Sequence, residues 1–181
     1  MTNNYAIIFV GLPGIGKTTI SKELVKCLDN TIHIEIDQFY NDGKSNNIAY
    51  LDAIENIVKT KTHNVILCKN HHTKESLDEV IDIMKRNEIN YYIFNLIPEN
   101  FQLQTREEQN IIVDILLDRI EKRNDNMSPL KIDSENPRLK AQRIIVHAFI
   151  KKYCIPDNCI YLEYSANIID NVMKIKQVIN L

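Results

Sequence analysis

Glycine is scarce in this sequence. The 181 residues include only 4 glycines, and three of them, Gly11, Gly14 and Gly16, stand close together near the start of the chain. Glycine tolerates left-handed backbone conformations and the close approach of a ligand to the main chain. A chain that uses glycine so sparingly elsewhere therefore has one segment, Gly11–Gly16, on which special demands are placed.

Positive charge is not in excess either. The formal net charge is −2, from 22 Lys and Arg against 24 Asp and Glu. These totals exclude the strong overall basic field of many nucleic-acid-binding domains, although a local basic patch would not show in the sum. With 44% hydrophobic and 25% charged residues, the composition is typical of a globular protein. We expect a single domain over residues 1–181.

Signals for export and for zinc binding are also missing. Met1–Val10 has no basic segment ahead of its apolar run, so we expect no signal peptide, no membrane helix and no membrane partner. The spacing of the 4 cysteines is not that of a zinc site. We therefore expect thiols in a reducing compartment and an intracellular location, in the cytoplasm or the nucleus. The cysteines are Cys27, Cys68, Cys154 and Cys159.

Short β-rich runs alternate with amphipathic segments along the chain, and this alternation is typical of an α/β fold. It predicts a parallel sheet of about five strands with helices on both faces. The predicted strands are 5–10, 31–36, 64–68, 90–97 and 158–164. The predicted helices are 17–29, 49–60, 73–87, 106–123, 138–153 and 169–180, with a polar loop over 124–137.

The glycine-rich segment lies between the first predicted strand and the first predicted helix. Gly11–Thr18 reads GLPGIGKT and matches the phosphate-binding pattern G-x-x-x-x-G-K-[ST]. In that pattern backbone N–H groups point at phosphate oxygens, Lys17 reaches the β- and γ-phosphates, and Thr18 ligates Mg²⁺. We expect a nucleoside triphosphate to contact Gly11, Pro13, Gly14, Ile15, Gly16, Lys17, Thr18 and Thr19.

A carboxylate follows the second predicted strand. Asp37 stands where that strand should reach the carboxyl edge of the sheet, the edge at which open α/β sheets bind ligands. There it could accept the proton of an attacking hydroxyl or position Mg²⁺ through water. The alternative is a helix cap or a solvated turn.

Two arginines end the long predicted helix 106–123. Arg119 and Arg123 are four residues apart and so share one helical face, directly before the polar loop. They could close over the nucleotide as a lid, because a guanidinium binds phosphate oxygens in a planar fork. The alternative is that they interact with the dipole of the helix end.

Together these elements resemble the polynucleotide 5′-hydroxyl kinases, and in particular the kinase domain of fungal-type tRNA ligases. Lids of that family read roughly R-x-x-x-R-G-D-N-H, and here Arg119 and Arg123 are followed by NDNM. A second element, close to D-R-N-N-H in the family, corresponds to Cys68–His72, so that Cys68 and Lys69 stand where the family has Asp and Arg.

That resemblance implies an adenylate-kinase-like P-loop fold with a helical lid, and a role for each matching residue. Asp37 would be the general base on the 5′-hydroxyl, Lys17 and Arg123 would contact the phosphates, and Thr18 would hold Mg²⁺. The phosphate donor would be ATP or GTP. We further expect Asn70, His71 and His72, at the same sheet edge, to contact nucleic acid.

The function predicted from these residues is transfer of a γ-phosphate to the 5′-hydroxyl of an RNA or DNA end, in tRNA splicing or RNA repair. Two alternatives stay open. One is a kinase for a small metabolite or nucleotide on the same scaffold, and the other is a nucleotide-binding module without catalysis. The oligomeric state is not indicated by the sequence.

Overall fold

The computed structural model describes residues 4–41, 44–71, 73–96, 101, 104–123, 156, 158–163 and 167–180. Strands and helices alternate along these residues, as the sequence predicts. The strands are β1 (Tyr5–Val10), β2 (Thr31–Glu35), β3 (Tyr40–Asn41), β4 (Lys44–Ser45), β5 (Asn64–Cys68), β6 (Asn90–Asn95) and β7 (Ile160–Tyr161). The helices are α1 (Lys17–Cys27), α2 (Asn47–Thr60), α3 (Lys74–Arg86), α4 (Arg106–Arg123) and α5 (Ile168–Val178).

Five of the strands form one parallel sheet in the order β2-β5-β1-β6-β7. β1 lies in the middle, and Ala6 is paired with Val65 of β5 on one side and with Tyr91 of β6 on the other. The crossover from β1 to β2 runs along the sheet in the opposite direction from the later crossovers. Because parallel crossovers are right-handed, this puts α1 on the opposite face of the sheet from α2 and α3. Consistent with this, α1 contacts α5, and α2 contacts α3. The predicted α/β fold, a parallel sheet of five strands with helices on both faces, is confirmed.

The core forms between the sheet and these helices. β1 is an uninterrupted apolar run, and its residues from Ala6 to Val10 are almost completely buried, as expected of a central strand covered on both faces. Ile20 and Leu24 of α1 lie four residues apart and are buried against the sheet. Strand β1 and the helix that follows it are thus held rigidly, and they hold the glycine-rich loop between them.

Element ends differ from the prediction in places that matter for the site. β2 ends at Glu35, and Ile36–Phe39 forms one turn of 3₁₀-helix. Asp37 is therefore inside this turn and not at the strand end. The last strand is Ile160–Tyr161, much shorter than predicted. The predicted loop 124–137 and helix 138–153 lie outside the described residues.

Two helix starts follow from side-chain caps. The Thr73 hydroxyl accepts a hydrogen bond from the N–H of Ser76 and so caps the start of α3. The Asn46 side chain likewise accepts from Ala49 N at the start of α2, at 3.0 Å. Among the described helices, none is both long and apolar enough to cross a membrane. The single domain over residues 1–181 stays a prediction.

Candidate active site

The glycine-rich loop connects the end of β1 to the start of α1. Its three glycines all have positive φ, 147° at Gly11, 77° at Gly14 and 111° at Gly16. At Gly11 there is also a steric demand, since a Cβ would lie 3.1 Å from Cγ2 of Ile15. Gly16 precedes Lys17, the first residue of α1, and has no side chain to cap the helix. The first amides of α1 are therefore left for a ligand, and an anion is the ligand that a helix N-terminus favours.

The other loop residues differ in what they present to a phosphate. Leu12, Pro13 and Ile15 are buried, so their side chains anchor the loop in the core. Pro13 also lacks an N–H group and contributes shape only. Thr19, on the first turn of α1, is exposed.

Lys17 is held by oxygen atoms of two segments. Its residue is only 8% exposed, and Nζ donates to the carbonyl oxygens of Gly11 and Leu12, both at 2.9 Å. Nζ also donates to Oδ1 of Asn70 at 2.6 Å. The ammonium group is thus fixed at the mouth of the loop by acceptors from the loop itself and from the segment after β5.

Thr18 faces a carboxylate that the sequence analysis did not single out. Its Oγ1 donates a short hydrogen bond to Oε1 of Glu35, the last residue of β2. The side chain of Glu35 is half-buried, and its backbone N–H donates to Oε1 of Gln38 at 3.3 Å. The sequence contains one signal for this residue: in the alternating run Thr31–Glu35, Glu35 falls on the same strand face as Thr31 and His33.

Cys68 ends β5 beside Glu35, its register partner in β2. Its thiol lies 2.9 Å from Oγ of Ser21. The Ser21 hydroxyl donates to the carbonyl oxygen of Lys17 at 2.9 Å, so the thiol is the donor in the contact with Ser21. Burial is the main cause that raises the pKa of the Cys68 thiol to about 12, and the negative charge of Glu35 acts in the same direction. Cys68 is therefore a neutral thiol at physiological pH.

Asp37 lies in the 3₁₀ turn after β2, two residues beyond Glu35. Its negative charge raises the pKa of Cys68, whereas the positive charge of Lys17 lowers it. The half-buried Asp37 thus lies at the carboxyl edge of the sheet, next to the end of β2. The sequence predicts one carboxylate at this edge, and the structure adds a second, Glu35.

In the segment after β5, the side chains of residues 69–71 form hydrogen bonds within the protein. Asn70 accepts from Lys17, as described above. His71 is 2% exposed, and its Nδ1 lies 2.9 Å from the carbonyl oxygen of Ser76, so Nδ1 carries the proton and donates. Lys69 donates from Nζ to Oδ1 of Asn47 at 2.6 Å, and burial lowers its pKa. His72 lies outside the described residues, and contact of Asn70, His71 and His72 with nucleic acid stays a prediction.

The two candidate lid arginines are on α4. Arg119 is half-buried, and Arg123 is the last residue of the helix. The side chain of Arg123 and the following NDNM segment lie outside the described residues. Closure of this pair over a nucleotide therefore stays a prediction.

Within the described ranges, no three His, Cys, Asp or Glu side chains form a metal site. Mg²⁺ does not need such a cage, because it retains several waters and takes one or two protein oxygens together with substrate phosphates. Thr18 Oγ1 and the adjacent carboxylate of Glu35 are oxygen donors of that type. The donor set fits a nucleotide-bound Mg²⁺.

Comparison with solved structures supports the same fold. A fungal RNA kinase superposes with a TM-score of 0.71 at 18% identity, covering 99% of this chain and 86% of that one. Kti12 of Chaetomium thermophilum in complex with ADP-AlF3 gives 0.60 at 13% identity, covering 95% and 97%. The Mycobacterium tuberculosis APS kinase CysC, in complex with AMPPNP and APS, gives 0.58 at 13% identity, covering 99% of both chains. At these identities the likeness concerns the fold alone.

The sequence comparison is more specific. No curated protein matches the sequence. Residues 6–175, however, match the family described as the tRNA ligase kinase domain, which confirms the resemblance seen in the phosphate-binding loop and in the segment after the third predicted strand. The chain belongs to the tRNA ligase kinase domain family and is a P-loop phosphotransferase.

Proposed function

We propose that this chain transfers the γ-phosphate of ATP or GTP to the 5′-hydroxyl of an RNA or DNA end, in tRNA splicing or RNA repair. The observation that carries this proposal is the position of Asp37 in the turn after β2, two residues beyond Glu35, whose carboxylate accepts a hydrogen bond from Thr18 of the phosphate-binding loop. A carboxylate there can serve an acceptor hydroxyl, and family membership over residues 6–175 supports an RNA end as the acceptor.

The phosphate loop would bind and orient the donor. Amides of the Gly11–Thr18 loop and the start of α1 face the triphosphate, and Lys17 exchanges one or more of its present acceptors for phosphate oxygens. Phosphoryl transfer needs little covalent help from the protein, so positioning and charge neutralisation account for most of the catalysis.

Asp37 would accept the proton of the attacking 5′-hydroxyl. Arg119 and Arg123 would bring positive charge to the transferring phosphate from the end of α4. Thr18 would hold Mg²⁺, which would neutralise the charge that develops on the phosphates. Asn70, His71 and His72 would lie on the acceptor side, and the hydrogen bond that Asn70 accepts from Lys17 supports this for Asn70.

A second candidate is a kinase for a small alcohol or nucleotide. The net charge of −2 favours it slightly, since it provides no overall attraction for a polyanion. The two candidates share the donor site and differ only in the acceptor.

Incubation with γ-labelled ATP or GTP tests the proposal directly. The acceptors are 5′-hydroxyl RNA and DNA oligonucleotides, the same oligonucleotides with a 5′-phosphate, and a panel of small alcohols and nucleosides. We expect label on the 5′-hydroxyl oligonucleotides only. Lys17→Met is the matched inactive control, because methionine fills the buried space and removes the charge. Label on a small alcohol with none on any oligonucleotide would replace this proposal by the second candidate.

A further inference from the structure

The hydrogen bond between Thr18 and Glu35 joins the residue expected to ligate Mg²⁺ to a carboxylate from a different strand. P-loop NTPases hold Mg²⁺ with the Ser or Thr of the loop and with an Asp from a strand of the sheet. In this chain Thr18 is that loop residue, and Glu35 is the carboxylate to which its hydroxyl donates.

Strand β5, one of the two neighbours of β1 in the sheet, does not provide such a carboxylate. β5 ends in Cys68, whose thiol is fully buried and donates to Ser21. Sulfur is a soft ligand, whereas Mg²⁺ takes oxygen ligands, so this buried thiol is a poor partner for the ion. The next residue at the same sheet level is Glu35, the register partner of Cys68 in β2.

We propose that Glu35 is the carboxylate that positions the nucleotide-bound Mg²⁺, acting from the edge strand β2 through Thr18 and metal-bound water, in place of a carboxylate at the end of β5. Neighbouring strands lie about 4.8 Å apart, so a residue on β2 starts farther from the loop than one on β5. A glutamate side chain, one methylene longer than aspartate, recovers part of that distance.

This assignment divides the work between the two carboxylates. Glu35 contacts Thr18, whereas Asp37 is two residues farther along, within the 3₁₀ turn. The inference therefore assigns Glu35 to the metal and leaves the acceptor hydroxyl to Asp37. The inference rests on the proposed function only in its use of a Mg²⁺-nucleotide, and it does not depend on which acceptor is phosphorylated.

The experiment measures nucleotide binding without any acceptor. Calorimetric titration with the β,γ-imido analogues of ATP and GTP, over a series of Mg²⁺ concentrations and in EDTA, gives the half-saturating Mg²⁺ concentration. Removal of a residue that orients a metal ligand typically costs 10- to 100-fold in metal affinity. We expect Glu35→Gln to raise the half-saturating Mg²⁺ concentration by at least about 10-fold, while the dissociation constant in EDTA changes by less than about threefold. Glu107→Gln, at an exposed position on the first turn of α4, is the matched control and should behave like the wild type.

Unchanged Mg²⁺ dependence in Glu35→Gln would overturn the assignment. If that variant does not fold, Glu35→Asp carries the test: the shortened carboxylate should raise the half-saturating Mg²⁺ concentration by at least about threefold, and an unchanged value would again overturn it. A double variant, Glu35→Gln with Cys68→Asp, returns the carboxylate to β5. A return of the half-saturating Mg²⁺ concentration toward the wild-type value in this double variant supports the assignment of the β5 carboxylate's role to Glu35. A failure of 5′-phosphorylation alone, with Mg²⁺ dependence as expected, would reject the proposed acceptor and leave this inference intact.

Discussion

Lys17 and Asn70 are joined by a 2.6 Å hydrogen bond that ties the phosphate-binding loop to the segment after β5. The two residues are 53 positions apart in the sequence, and the bond spans the mouth of the candidate active site. Because Nζ also donates to Gly11 and Leu12, the ammonium is oriented before any nucleotide arrives. A loop ordered in this way loses less conformational entropy on binding.

The first prediction concerns the charge at position 70. In Asn70→Asp a carboxylate should pair with Nζ of Lys17 and repel the triphosphate, so we expect nucleotide affinity to fall by more than about 10-fold, or ~1.4 kcal/mol. Asn70→Ala should change it less, since Nζ keeps its two carbonyl acceptors. Calorimetric titration with a non-hydrolysable nucleotide measures both. Asn56→Asp, on the exposed face of α2, adds the same charge away from the site and should leave nucleotide affinity unchanged. Equal affinities for Asn70→Asp and the control would show that Lys17 does not reach the phosphates.

The second prediction separates chemistry from binding at Asp37. If this residue is the general base, Asp37→Asn should lower kcat by at least about 100-fold, while the nucleotide dissociation constant changes by less than about 10-fold. Steady-state phosphorylation of a 5′-hydroxyl RNA gives kcat, and calorimetry gives the dissociation constant. Near-normal turnover would return Asp37 to a structural role in the 3₁₀ turn.

The third prediction concerns the end of α4. A lid that binds phosphate in a planar fork should not tolerate Arg123→Lys, because a point charge replaces the guanidinium. We expect kcat/KM to fall by at least about 10-fold with an unchanged melting temperature. Lysine serves a helix dipole about as well as arginine does, so full activity in this variant would favour the dipole role. Arg119→Ala, measured in parallel, should be the milder change.

The fourth prediction follows from the raised pKa of Cys68. A thiol with a pKa of about 12 is roughly one ten-thousandth thiolate at pH 8, and only the thiolate reacts with iodoacetamide. Mass spectrometry should therefore find the exposed Cys27 alkylated in the folded protein and Cys68 protected. Both should react in denaturant. Alkylation of the two thiols at similar rates in the folded state would contradict a neutral, buried Cys68.

The same pKa gives a pH dependence of stability with a definite sign. The thiol keeps its proton in the folded state to about pH 12, whereas the unfolded thiol ionises from about pH 9. Between these values the folded state binds more protons, so this group makes stability fall as pH rises above about 9. It has no such effect at neutral pH.

Much of the donor site could be predicted from the sequence because its parts are contiguous. Gly11–Thr18 is a single run between an apolar strand and an amphipathic helix, so the motif and its structural context are both visible. The strands β1 and β5 are likewise short apolar runs with clear ends. In the phosphate-binding loop and in these two strands, the local sequence pattern is enough to determine the local structure.

The part of the site at the end of β2 was less predictable because it depends on contacts between distant segments. Nothing in the alternating run from Thr31 to Asp37 indicates that the strand stops at Glu35. At the point where the strand ends, the N–H of Glu35 donates a hydrogen bond to the side-chain Oε1 of Gln38. Phe39 also packs there against Tyr50, with ring centroids 5.9 Å apart. Such tertiary contacts also bring Thr18 to Glu35, a pairing that no spacing rule reveals.

The position of β1 in the sheet has a consequence for biosynthesis. The central strand β1 is synthesised before both of its neighbours in the sheet, because its register partners are in β5 and β6, and Ala6 must wait for Val65. At about 5–20 residues per second, a nascent chain carries this apolar strand unpaired for several seconds. During that interval Ala6–Val10 exposes both unpaired edges, which is the condition under which chains associate wrongly. The phosphate-binding loop, which directly follows β1, is thus fixed in place only after β5 has been made, and slow elongation before Val65 should increase the demand for chaperones.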